Sequence, residues 1–174
     1  LIRAGHDIVG IVTTPPKPKG RGLKVQPSPV EQFARSKELG PVLMPEKLRS
    51  EAFVRQLREL RPDVSVVAAF RILPRPVLDI PLQGTINIHA SLLPKFRGPA
   101  PIQRAIEQGE TRTGISIFTI APAIDTGDII LRKETEIGPD ETTPQLYARL
   151  RDLGAEALIE ATAMLREGTA VARP

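Results

Sequence analysis

The sequence contains no cysteine and no tryptophan. Lack of cysteine removes disulfides, thiolate nucleophiles and zinc–thiolate sites together, and suits a cytoplasmic protein. Two histidines in 174 residues are too few for a multi-histidine centre, so no metal is expected. Aromatics make up only 3%, so a core must come from Ile, Leu, Val and Ala; the 41% hydrophobic content is enough for one. No apolar stretch approaches the roughly 20 residues of a membrane span, and the opening residues are too short an apolar run for a secretory signal. No Gly-x-Gly-x-x-Gly follows a strand-like run and no P-loop is present, which argues against a nicotinamide oxidoreductase or a P-loop nucleotide enzyme.

A net charge of +4 hints at an anionic partner. The length suits one domain, 1–174. Leu1 to Ala4 followed by Gly5 reads as the last turn of a helix with its glycine cap, which implies residues lost upstream. Ile8 to Thr13 and Val64 to Ala69 are continuous apolar runs of the kind buried on both faces of a parallel sheet. Between Thr14 and Pro29 lies a proline-rich loop. Val30 to Leu39 has helical spacing, with Val30, Phe33, Ala34 and Leu39 inward. Pro41 to Met44 is a short strand, and Ser50 to Leu60 a helix with Phe53, Val54, Leu57 and Leu60 inward. A helical turn is expected at Pro74 to Asp79, and strands at Thr85 to His89, Gly114 to Ile120 and Asp128 to Lys133. Pro101 to Gln108 is a helix with proline at its start and Gly109 at its end. Thr143 to Leu165 is a long helix capped by Thr142 or Thr143, with a weak point at Gly154. This alternation predicts an α/β fold: an open, mostly parallel, Rossmann-like sheet with helices on both faces, and a ligand beyond the carboxyl ends of the strands.

Alternate side chains on a strand point to opposite faces, so Thr85, Asn87 and His89 share a face and Ile86 and Ile88 the other. An amide and an imidazole roughly 7 Å apart can address one small reacting group. Taken alone, they could equally be satisfied polar residues closing a strand. The continuation decides: Asn87-Ile88-His89-Ala90-Ser91-Leu92-Leu93-Pro94-Lys95-Phe96-Arg97-Gly98 resembles the central motif of the formyltransferases that use 10-formyltetrahydrofolate. A second match, Ile124-Asp125-Thr126-Gly127-Asp128, follows in the correct order, and the resemblance runs across essentially the whole chain.

That resemblance implies a transferase and a catalytic triad. Formyl transfer to an amine passes through a tetrahedral intermediate with a negative oxygen. Asn87 would donate its amide N–H to that oxygen, and a protonated His89 a charge-assisted bond. Asp125 would favour the imidazolium and take the amine proton, through water. The folate would lie against Ser91, Leu92, Leu93 and Pro94 and the segment Arg71, Ile72 and Leu73, although the apolar members also suit plain core packing. Asp128 would touch the pterin through its neighbours, or merely cap the turn with Gly127.

The acceptor is read from the loop. Lys17, Lys19, Arg21 and Lys24 carry no acidic residue among them and can track phosphates. Charge alone would make this a solvated basic loop. Its order resembles the tRNA-contacting loop of the branch acting on initiator methionyl-tRNA, and Arg97-Gly98 fits that branch too. The expectation is therefore formylation of the α-amino group of methionyl initiator tRNA in translation initiation, by a cytoplasmic monomer. Alternatives are the same chemistry on a nucleotide-linked amino sugar, and an inactive folate- or tRNA-binding fragment. The family's opening strand and its C-terminal domain are both expected and not found in the sequence. Ala69-Phe70-Arg71 and Ala121-Pro122-Ala123 depart from the family's usual pattern, which bears on the folate pocket.

Overall fold

The computed structural model describes residues 1–19, 24–121 and 124–171. The chain divides into two compact units. One takes Ile2–Asp63 with Phe70–Leu82; the other takes Leu1, Val64–Ala69 and Gln83–Pro174. Among the described residues, no helix is long and apolar enough to cross a membrane.

In the first unit a 3-10 turn, Ile2–Ala4, closes on Gly5, whose φ of 78° and N–H to the Ile2 carbonyl (3.0 Å) make the expected cap. Of the apolar run that follows, only β1 (Ile11–Val12) is paired, in parallel with β4 (Val42–Leu43). The loop expected from Thr14 to Pro29 is not irregular throughout. It contains an antiparallel ribbon, β2 (Lys17–Lys19) with β3 (Lys24–Gln26), in register Lys17 to Gln26. Three-residue strands are too short for an alternation to register, and no Asn-Gly pair marks a tight hairpin.

α1 (Pro29–Ser36) is capped by the Ser28 hydroxyl, which accepts from the Glu31 N–H at 3.1 Å. Its buried stripe differs from the expected one. Val30 and Phe33 are 52% and 53% exposed, whereas Glu31 and Ala34 are buried. Helical spacing identifies a stripe but cannot see an ion pair: Arg35 reaches the Glu31 carboxylate at 3.0 Å, so the acid can turn inward and rotate the stripe by one residue. The helix stops at Ser36, short of Leu39. α2 (Glu51–Glu59), capped by Ser50, buries Phe53, Val54 and Leu57 as expected, against Leu48 and Val77, with Leu60 partly buried beside them. Val77 comes from α3 (Arg75–Leu78).

The second unit is a four-stranded sheet in the order β5 (Ser65–Ala68), β6 (Thr85–His89), β7 (Arg112–Thr119), β8 (Ile129–Glu136). β5 and β6 are parallel, as β1 and β4 are. The α/β fold is as expected, and within this sheet β7 alone is reversed: it runs antiparallel to both β6 and β8, so that β8 points the same way as β5 and β6. The link from β7 to β8 carries no helix to return the chain to the far end, so the strands reverse. α4 (Pro101–Glu107) sits between β6 and β7, and α5 (Thr143–Glu167) follows β8. α5 presents Leu146, Leu150, Ala157, Leu158 and Ala161 to Ile86, Ile115, Ile117 and Ile130. Each fully buried leucine there contributes about 1.5–3 kcal/mol.

Gly154 is no break in α5, which runs on to Gly168, where φ of 67° ends it. The glycine lies buried over Ile88 and Ile115 and lets the helix settle on the sheet.

Candidate active site

Ile86 and Ile88 pack toward α5, and this decides which way β6 faces. Asn87 and His89 must then point to the opposite side, opposite Phe118 and Ser116 of β7. Asn87 is half-buried, and its amide forms no hydrogen bond with another described residue. It is thus a donor without a partner among the described residues, in the middle of β6. His89 is buried.

The imidazole is held at both nitrogens. Nε2 lies 2.9 Å from the Phe96 carbonyl oxygen; a carbonyl can only accept, so Nε2 carries the proton and donates. Nδ1 faces the Asp125 carboxylate at 3.6 Å, within ion-pair reach but longer than a hydrogen bond. Asp125 itself stands in the left-handed region at φ 51°. Its Oδ2 accepts the Gly98 N–H at 2.8 Å. The structure therefore brings His89 and Asp125 together and sets Asn87 on the same face of β6 as His89. Neither ring nitrogen is turned toward open space; the amide of Asn87 is the unengaged donor.

Residues 91–94 follow β6 after Ala90. Ser91 is fully buried and its hydroxyl donates to the Lys95 carbonyl at 2.6 Å. Leu93 is buried with Phe118 and Ile129, in ordinary core packing. Leu92 is half-buried against Gly114, where an added Cβ would stand 2.6 Å from the leucine Cδ2 and 2.1 Å from the Lys133 carbonyl. Pro94 is exposed, after a cis peptide bond from Leu93. So Ser91 and Leu93 hold the loop, and Leu92 and Pro94 present its surface.

Arg71, Ile72 and Leu73 belong to the other unit. There the Arg71 guanidinium donates to the Pro45 and Glu46 carbonyls at 2.8 and 3.0 Å and lies 5.2 Å from the Phe70 ring centroid. Leu73 packs beside the α2 core, and Ile72 is 77% exposed. Lys17, Lys19 and Lys24 stand on the β2–β3 ribbon, while Arg21 lies outside the described residues, as do Pro122 and Ala123 of the Ala121-Pro122-Ala123 departure.

One residue escaped the sequence reading, and another was read only as part of a motif and a turn. Ser116, fully buried, accepts the Leu93 N–H at 3.1 Å and donates to the Ser91 carbonyl at 2.7 Å, pinning the 91–93 backbone to β7. A signal existed: a hydroxyl between Ile115 and Ile117 must face away from the isoleucine core. Gly127 is the second. A Cβ there would stand 1.5 Å from the Thr119 carbonyl oxygen, so the Asp125 loop lies flush on the end of β7. Of the two sequence readings for Asp128, its backbone at least serves the turn: its carbonyl accepts the Thr119 N–H at 2.9 Å.

A family model described as formyl transferase matches residues 2–162. The chain is 47% identical over 169 residues to the methionyl-tRNA formyltransferase of Marinobacter nauticus, covering 97% of this chain and 54% of that protein. It is 48% identical over 170 residues to the protein of that name from Geobacter metallireducens, again with 97% and 54% covered. The chain spans about half the length of the curated relatives it matches. Among solved structures, glycinamide ribonucleotide transformylase 1 from Symbiobacterium toebii aligns with a TM-score of 0.73 at 24% identity, over 82% of this chain and 73% of that one. A sugar N-formyltransferase from a Shewanella strain aligns at 0.67 and 25% identity, over 81% and 55%. The first likeness speaks to the fold alone.

Proposed function

The chain belongs to the formyl transferase family, and we propose that it moves the formyl group of 10-formyltetrahydrofolate to the α-amino group of methionyl initiator tRNA. The observation that carries this reading is 47–48% identity, across 97% of the chain, to relatives named for that reaction. It is supported by the gathering of His89 and Asp125 beside the strand that bears Asn87.

The folate supplies the formyl carbon. As the amine attacks that carbon, its oxygen gains negative charge, and the free amide of Asn87 donates to it. Asp125, held by the Gly98 N–H, accepts the proton the amine sheds, through water. The C–N bond to the folate then breaks, and that nitrogen takes up through water the proton that Asp125 accepted, which restores the carboxylate. Nε2–H of His89 holds the Phe96 carbonyl and Nδ1 faces Asp125, so His89 keeps that carboxylate in place beside the reacting group.

Leu92 and Pro94 are the loop residues whose surfaces remain for the folate; Ser91 and Leu93 shape them. Arg71, Ile72 and Leu73 stay folate contacts on resemblance alone. Lys17, Lys19, Arg21 and Lys24 engage tRNA phosphates, in a translation-initiation role that this reading assigns to the cytoplasm and to a monomer.

The test is formyl transfer to charged initiator tRNA by the wild-type chain beside Asn87→Ala, His89→Ala and Asp125→Asn. Each variant should lose about 10²–10⁴-fold in kcat. Near wild-type turnover in Asp125→Asn or His89→Ala overturns the roles of those two residues. Transfer to a nucleotide-linked amino sugar but not to tRNA overturns the acceptor. Alanine at all four basic positions should weaken tRNA binding and flatten its salt dependence; an unchanged salt slope removes the loop from the interface.

A further inference from the structure

The segment Phe96–Gly98 touches both acid–base candidates through its backbone. The Phe96 carbonyl takes the His89 Nε2–H at 2.9 Å, and the Gly98 N–H holds Asp125 Oδ2 at 2.8 Å. Two residues apart, these bonds make the segment a clasp between a strand residue and a loop residue that are 36 positions apart in the chain (125 − 89). The conformation is not one a free chain settles into. Phe96 stands at φ 57°, Gly98 at 84° and Ala100 at 54°, so two residues with a Cβ occupy the left-handed region within five positions. Such a backbone persists only where its surroundings over-determine it.

One side chain does so. Arg104, on α4, stacks its guanidinium 5.4 Å from the Phe96 ring centroid and donates from Nη2 to the Arg97 carbonyl at 3.0 Å. Both contacts fall on the stretch between the two catalytic hydrogen bonds. Its Nε–H is buried without a partner among the described residues, so the grip comes from the guanidinium over the Phe96 ring and from Nη2. A planar cation does two jobs here that an ammonium cannot combine: it sits over a ring and aims a fixed N–H at a carbonyl.

We infer that Arg104 is a positioning residue for formyl transfer: it holds the 96–98 clasp in shape, and the clasp holds His89 and Asp125 in register. This rests on the proposed reading of the site. Arg104 touches neither catalytic side chain, so its effect travels through Phe96 and Gly98. Removing it leaves the triad chemically intact but loosely placed, and a misplacement near 1 Å costs about 10²-fold.

The experiment compares Arg104→Met, which keeps an aliphatic stem, and Arg104→Lys, which keeps the charge, with wild type. Two readouts are needed. NMR follows the His89 ring nitrogens and the Gly98 amide; transfer kinetics separate kcat from the KM for 10-formyltetrahydrofolate. Arg104→Met should shift the His89 Nε2 and Gly98 signals and speed exchange of both protons. Its kcat should fall roughly 10–100-fold with KM within about twofold, and Arg104→Lys should recover part of that loss. Unmoved His89 and Gly98 signals in both variants overturn the inference whatever the activity, as does a fall in thermal midpoint with kcat unchanged. Moved signals in a chain whose wild type transfers no formyl group support the clasp and overturn the formyl-transfer reading instead. Should Arg104→Met fail to fold, the same outcomes are read from Arg104→Lys.

Discussion

Replacing Gly127 with alanine should disable the site from outside it. A Cβ at this position falls 1.5 Å from the Thr119 carbonyl oxygen and 2.7 Å from its carbonyl carbon, both backbone atoms. Carbon and oxygen approach no closer than about 3.3 Å, so the loop and the end of β7 must part by roughly 2 Å. Thr119 cannot yield easily, because it ends a strand and its N–H is bonded to the Asp128 carbonyl at 2.9 Å. The loop moves instead, and Asp125 lies two residues upstream. Its contacts, 2.8 Å to Gly98 and 3.6 Å to His89, do not survive a shift of that size. Formyl transfer should fall by at least about 10²-fold. The strain should also cost about 1–3 kcal/mol of stability. Gly154→Ala is the control. Its Cβ meets nothing nearer than 3.5 Å from Ile115 and Ile88, so alanine should raise stability by about 0.5–1 kcal/mol and leave transfer alone. Thermal unfolding followed by circular dichroism, beside turnover at saturating folate, separates the two. If Gly127→Ala unfolds with wild type and keeps turnover within about threefold, Gly127 and Thr119 can part without moving Asp125, and the argument fails.

Ser116→Ala strands the Leu93 N–H and Ser91 carbonyl in the core; urea unfolding should show a loss of about 1–3 kcal/mol, and the KM for folate should rise. In α1, Arg35→Met leaves the buried Glu31 carboxylate unpaired and should destabilise by about 1–3 kcal/mol, whereas the double change with Glu31→Leu should restore most of it. The hydrogen bond from Arg151 holds the Asp152 carboxyl below its ordinary value. What stability this adds is present above the unfolded-state value and lost as pH falls through the lowered one. In Arg151→Gln the carboxyl should titrate back toward its usual range by NMR, and an unchanged titration would discard the pairing.

Much of the candidate site's face was readable along the chain. Period-two alternation around Ile86 and Ile88 forces Asn87 and His89 to one side, and no tertiary contact can reverse that without exposing the isoleucines. The strands and helices of the second unit were legible for the same reason, because each has enough residues to show its period. Short or ion-paired pieces were not. The β2–β3 ribbon is built of three-residue strands, and the inward turn of Glu31 depends on Arg35.

What the sequence settled by itself, then, was local: which residues share a face, where helices begin, and which polar side chains stand in the two motifs. Tertiary structure decided how those pieces meet. The reversal of β7 between β6 and β8 brings Thr119 under Gly127, Ser116 under the 91–93 backbone and Asp125 to His89. Those contacts join residues 8 to 36 positions apart (127 − 119 and 125 − 89), mostly through backbone carbonyls and amides that every residue carries alike. Only the folded path of the chain selects which of them meet.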